Sequence, residues 1–368
     1  MTPAVRGLHF GTAGVPDSTP QTSTLAALPH LKSIGLDALE IEFVRGVKIG
    51  SDTAAKVRRR AEELGILLSA HAPYYVNLNS REMGTRLQSR EHLLRSARMG
   101  ALCGCRSVVF HAGYYGSATP EQTFDVLREA LREILSVLKS ERNPVTLRIE
   151  TMGRRSQFGS LDEVVSLCRD VEGLAPCLDF SHLHAREGKA NSYIEFHRIL
   201  RKVERRLGRQ ALRDLHVHLS GIAYNDKGEI KHLNLADADF RYEEWIAAVN
   251  DMNAEGLVIC ESPARTRRRR PQAALRNQAP EILSRGRNEG IISGRRPDAA
   301  RARRKTIRRI PGRRPRPPRP GGGKDRPAPP PASAPRSTAG TPADRREATA
   351  SGRPSPGRRG FHSRRSIR

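Results

Sequence analysis

The chain has 368 residues and a formal net charge of +26, but the charge is unevenly spread. Residues 1–263 carry 34 Lys+Arg against 33 Asp+Glu, whereas residues 264–368 carry 31 against 6. The near-neutral first part excludes a protein that holds polyanions by basicity throughout. The 5 cysteines include no CxxC pair, which argues against a disulfide framework or a cysteine-based zinc site and for reduced thiols in a cytoplasmic protein.

From the N-terminus, MTPAVRGLHFGTAGVP has no sustained apolar core and predicts no signal peptide. No run approaches the roughly 18 apolar residues that span a bilayer, so no membrane partner is expected. A first strand is predicted over Gly7–Gly11, then a helix carrying LAALPHLKS that stops at Gly35. Strand two is Ala38–Phe43, followed by a helix over Asp52–Leu64 with Ser51 as N-cap and Gly65 past its end. Strand three is Ile66–His71, and a long loop leads to a helix near Arg90–Leu102. Strand four is Ser107–His111. Thr119 and Pro120 then open a strongly periodic helix, FDVLREALREILSVL. Strand five is Val145–Glu150, and Ser160 with Glu163 has capping-box spacing before VVSLC. Strand six is Ala175–Asp179, with a helix around Tyr193–Leu207. Strand seven is Asp214–His218, a helix follows around Tyr242–Asn253, and strand eight is Leu257–Glu261.

Eight strand–helix units of this size predict a closed (β/α)8 TIM barrel over residues 1–263. An open doubly wound sheet is the alternative, but no GxGxxG follows the first strand. After Ser262-Pro263 the composition changes abruptly to Arg, Pro, Gly and Ala. Residues 264–368 therefore read as a disordered basic C-terminal tail, with one helical stretch near residues 271–287. The tail reads either as a basic arm for polyanions or as an out-of-frame extension replacing the last barrel helix.

Most of the strands end on a metal-capable side chain: His71, His111, Glu150, Asp179, His218 and Glu261. In a parallel barrel these ends share one face, where the chemistry sits. Carboxylates there would be costly to bury without a cation. His216 shares a face with His218 one layer deeper and suits a supporting role. His184 and His9 are assigned none.

The motifs HAPYYVNLN around His71, VVFHAGYY around His111, RIETMGRRSQFGS after Glu150, CLDFSH over Asp179–His182, HVHLSG at His218, KHLNL at His232 and ICESP at Glu261 occur in that order. Together they resemble the endonuclease IV group of abasic-site nucleases within the xylose-isomerase-like barrels, over roughly Leu8 to Pro263. The resemblance implies two zinc ions (Zn2+) and a third beside them. His71 and His111 would hold the first, and Glu150 would bridge to a second completed by Asp179, His218 and Glu261. His182 and His232 would hold the third. Here the chain departs from the family's Asp-x-His: Ile230 stands two before His232, and Glu229 is the nearest carboxylate, needing a shifted loop. Glu150 and Glu261 are the candidate catalytic carboxylates. Tyr74 occupies the loop from which the family wedges a side chain into DNA, and Arg45, Arg154 and Arg155 are candidate phosphate contacts. The implied activity is zinc-dependent cleavage of DNA on the 5′ side of abasic sites; separately, no protein partner is predicted and a monomer is expected. A divalent-metal sugar isomerase or epimerase on the same barrel is the alternative, disfavoured by the His71/His111 pair. A third reading, a nucleic-acid-binding protein acting through its arginine tail, needs no active site.

Overall fold

In the computed structural model, residues 6–263 are described. They lie within one compact unit, and the expectations for residues 264–368, the helical stretch near 271–287 included, fall outside the described residues. Eight parallel strands close into a barrel: β1 (Leu8–Ala13), β2 (Ala38–Glu42), β3 (Leu67–His71), β4 (Ser107–Phe110), β5 (Thr146–Glu150), β6 (Leu174–Asp179), β7 (Leu215–Leu219) and β10 (Gly256–Cys260), which returns to pair with β1. Between β7 and β10 the chain makes an antiparallel hairpin, β8 (Gly221–Asn225) and β9 (Gly228–Leu233). The helices are α1 (Thr24–Ser33), α2 (Ser51–Leu64), α3 (Met83–Cys103), α4 (Pro120–Ser140), α5 (Leu161–Asp170), α6 (Phe180–Glu187), α7 (Tyr193–Leu207), α8 (Gln210–Arg213) and α9 (Tyr242–Asp251). None is long and apolar enough to cross a membrane.

The expected (β/α)8 architecture is thus the observed one. The strands are short apolar runs because a barrel strand is covered on both faces, by helices outside and by other strands' side chains inside. The main core lies between sheet and helices, where Phe110, Leu131, Ile134, Phe180, Phe196 and Trp245 are fully buried. A small apolar floor of Ala38, Leu257 and Ile259 sits apart from it. On the same inward face Glu40 and Glu42 follow Ala38, and Glu261 follows Ile259, so the upper part of the barrel interior is polar.

Local chemistry sets the helix ends. Thr119 and Ser160 both form complete capping boxes, with Gln122 and Glu163, and Pro120 sits in the first turn of α4. Gly65 ends α2 in the left-handed conformation. Strand ends fall within two residues of expectation, strands four, seven and eight closing at Phe110, Leu219 and Cys260 instead of His111, His218 and Glu261, and two helix starts also differ. Ser51 is the first helical residue of α2 and Gly50 takes the cap position without a side-chain bond. Helix α3 starts seven residues before Arg90, at Met83, because its first turn is exposed and so lacks the apolar periodicity that marks a helix in sequence.

Leu131 lies at the centre of α4 with no exposure. Leu131→Ala is expected to cost about 2–5 kcal/mol in denaturant unfolding, as deletion of a buried leucine does; a loss below about 1 kcal/mol would mean that the core is not packed as described.

Candidate metal centre

The C-terminal ends of the strands and the loops beyond them surround a cavity of about 250 Å3. Its walls include Glu42, His71, Tyr74, His111, Glu150, Arg154, His182, Glu229, His232 and Glu261. Register explains the convergence. Glu42 lies beside His71, Asp179 beside His218, and Glu150 beside Cys177 in adjacent strands, so side chains of equal height point into one space.

Glu150 occupies the middle, 1% exposed. Its two oxygens face different neighbours. Oε2 lies 3.2 Å from His71 Nε2 and 2.9 Å from His111 Nε2. Oε1 lies 3.2 Å from His182 Nδ1 and 3.4 Å from His218 Nδ1. His218 Nδ1 is also 3.4 Å from Glu261 Oε1, and the other Glu261 oxygen is 3.7 Å from His232 Nδ1. Around the cavity, three groups of donor atoms could each embrace an ion: His71, His111 and Glu150; Glu150, Asp179, His218 and Glu261; and Asp179, His182 and His232.

Asp179 divides its work in a way that suits such an ion. It ends β6 and caps α6, where its Oδ1 accepts the His182 amide at 2.6 Å. That cap starts a helix immediately after the strand and sets His182 one turn on, facing back to the centre. The other oxygen, Oδ2, is buried 3.3 Å from His182 Nδ1 without an aligned hydrogen bond, and His218 Nδ1 also lacks one. Unpartnered buried acceptors are costly unless a cation meets them. Imidazole nitrogens and carboxylate oxygens at this spacing are the donor set of zinc and similar divalent metals.

The Ile230 departure has a structural answer in the hairpin. Ala223 pairs with Lys231 but Tyr224 pairs with Glu229, so Ile230 is an extra residue in β9, half exposed at 50%. Residues three apart in a regular strand face opposite sides, and one bulged residue restores the shared face. Glu229 Oε2 and His232 Nε2 consequently stand 3.5 and 3.1 Å from His182 Nε2. Gly153 and Gly228 make the approach possible. A β-carbon on Gly153 would fall 2.7 Å from Glu229 Cβ, and one on Gly228, whose φ is +96°, would fall 2.1 Å from the Gly153 carbonyl oxygen.

The remaining candidates divide. Tyr74 lines the cavity and is 58% exposed, its ring edge-on to Tyr75. Arg154 lines it too; Arg155 turns away to donate to the Arg186 carbonyl. Arg45 is exposed in the loop after β2 and is not among the lining residues. His184 and His9 pair with Asp239 and Asp37, away from the cavity walls. Two residues were missed in sequence: Glu40, fully buried below His218, and Glu42 on the cavity wall. The signal was present, since carboxylates two apart in an otherwise apolar barrel strand must both face inward.

Protons balance this crowd of charges in the metal-free chain. Burial would raise the Glu150 carboxyl, but His111, His182 and His218 hold it well below the usual range. Burial would lower His71, yet Glu150 and then Glu42 raise it to about 10. Burial raises Asp179 to about 6 and Glu42 to about 8. These three groups bind protons more tightly folded than unfolded, so the stability they contribute is lost as pH rises through those values. Unfolding in chelator at pH 7 and 9.5 should therefore show a less stable chain at the higher pH; equal or greater stability at pH 9.5 would contradict the charge balance.

Comparison with known proteins places this geometry in a family. The family model described as "Xylose isomerase-like TIM barrel" matches residues 28–285. An uncharacterized protein of Methanocaldococcus jannaschii is 42% identical over 257 residues, 70% of this chain and 92% of that protein. A "Probable endonuclease 4" of Cenarchaeum symbiosum is 26% identical over 60% of this chain and 80% of its own length. Among solved structures, endonuclease IV from Thermus thermophilus superposes with a TM-score of 0.58 at 19% identity, over 76% of this chain and 99% of that one. A D-psicose 3-epimerase does so with a TM-score of 0.57 at 18% identity, over 76% and 98%. At such identities the superpositions speak for the fold alone. The chain belongs to the xylose isomerase-like TIM barrel family, and its sequence relatives include proteins named as endonuclease 4.

Proposed function

We propose that this protein is a zinc-dependent phosphodiesterase that cuts DNA on the 5′ side of abasic sites. The observation that carries the reading is the meeting of three donor groups at one cavity, two of them sharing Glu150. A sugar isomerase or epimerase would use one or two divalent metals held mainly by carboxylates, which the group of Glu150, Asp179, His218 and Glu261 could supply. The His71/His111 pair and the His182/His232/Glu229 set would then have no function.

His71, His111 and Glu150 would hold one ion, Glu150, Asp179, His218 and Glu261 a second, and Asp179, His182, His232 and Glu229 a third. Such ions activate water near neutral pH and offset charge on a phosphate. The protein's own residues supply the rest. Glu150 fixes the spacing between the first two groups, because one rigid carboxylate serves both. Glu261 is 14% exposed at the cavity edge, more open than Glu150, which suits the carboxylate nearest the substrate. Tyr74 stands on the rim, 58% exposed, where its ring could stack in the gap left by a missing base. Arg154 and Arg45, on loops at the same end of the barrel, suit flanking phosphates. The near-neutral barrel needs such local contacts, since its overall charge offers little attraction to DNA.

The test combines metal analysis with nicking of a duplex carrying one abasic site, using the full chain. The expected result is about two to three zinc ions per chain and cleavage that falls more than about 100-fold in Glu261→Gln, beyond the loss typical of a supporting residue. Tyr74→Ala should keep the metal while kcat/KM drops about 10-fold, the worth of one stacking contact. Bound metal with no nicking, and turnover of a ketose instead, would replace this reading with sugar epimerisation.

A further inference from the structure

Beneath the metal centre lies a second polar layer that the proposed reaction does not use. Glu40 on β2 is fully buried and is absent from the cavity walls. Ser69 Oγ on β3 donates to its Oε2 at 2.8 Å, and His216 Nε2 on β7 lies 3.0 Å from the same oxygen. The other oxygen, Oε1, stands 2.9 Å from His218 Nε2, in a contact that is close but not lined up as a hydrogen bond. One carboxylate thus faces three groups from two strands, and Ser107 of β4 joins them through His216 Nδ1 at 3.1 Å.

The two ring nitrogens of His218 therefore see different worlds. Nε2 points down to Glu40, a buried anion absent from the cavity walls. Nδ1 points up to Glu150 and Glu261, each 3.4 Å away and both lining the cavity. A histidine that ligates a metal through one nitrogen keeps its proton on the other, and the partner of that proton sets which is which. We infer that Glu40 is a positioning residue that holds the His218 proton on Nε2 and so presents Nδ1 to the metal centre. Cys177, His216 and His218 also lie close enough to suggest a deeper ion site. His216 argues against it, because a neutral ring donating to Glu40 and accepting from Ser107 has no lone pair left for a metal.

This inference rests on the metal-centre reading above, and its test separates the two. The full chain, labelled with nitrogen-15 in histidine, is loaded with cadmium-113 and examined by NMR, with His218→Gln identifying the His218 signals. The expected result is cadmium coupling to His218 Nδ1 with a proton on Nε2. In Glu40→Gln, chelator competition should show cadmium at His218 held about 10- to 100-fold more weakly, while the His71 and His111 couplings persist. Coupling through Nε2 in the unaltered chain, or unchanged affinity in Glu40→Gln, would overturn the role of Glu40 alone. A chain that takes cadmium on no histidine would overturn the metal centre as well. The wild-type coupling decides the matter even if Glu40→Gln does not fold.

Discussion

A buried carboxylate in the middle of a barrel is the constraint from which the rest follows. Glu150 has almost no contact with solvent and stands within 3.4 Å of nitrogens from His71, His111, His182 and His218. Removing a charge from water costs several kcal/mol per ion, so the surroundings must return that energy through opposite charge. The imidazoles around it do so, holding its carboxyl well below the usual range, and neutral imidazole nitrogens are in general good metal donors. The donor groups that could hold an ion are thus the same ones that balance the Glu150 charge without one.

Barrel closure gives this carboxylate its neighbours. β1 and β10 pair over five residues, completing a ring in which β2 to β7 and β10 all end at one rim. The elements beyond the strands add what the strands cannot reach. Asp179 starts α6 with one oxygen and keeps the other for the centre, which brings in His182. The β8–β9 hairpin folds back over the mouth and brings in Glu229 and His232. Below the rim, Glu40 ties β2, β3 and β7 together through Ser69 and the two histidines of β7.

The legible part of the sequence was the part with a period. Strand ends at His71, Glu150 and Asp179 could be read because each closes a compact apolar run, and the capping boxes at Thr119 and Ser160 because their spacing is diagnostic. Glu40 and Glu42 were passed over because ALEIEF reads as an ordinary strand until both of its carboxylates must face inward. The shift that brings Glu229 to His182 was invisible, since a one-residue bulge depends on the pairing partner and leaves no local composition signal. Helix α6 was hidden by its brevity, eight residues almost wholly buried.

The fold admits both nucleases and sugar epimerases, so the number and arrangement of ions is what separates them. Anomalous diffraction at the zinc edge, from crystals of the zinc-loaded protein, tests this most directly. The account predicts separate peaks on the two sides of the Glu150 carboxylate, one against His71 and His111 and one among Asp179, His218 and Glu261. A single peak among Glu150, Asp179, His218 and Glu261, with His71 and His111 carrying none, would contradict it.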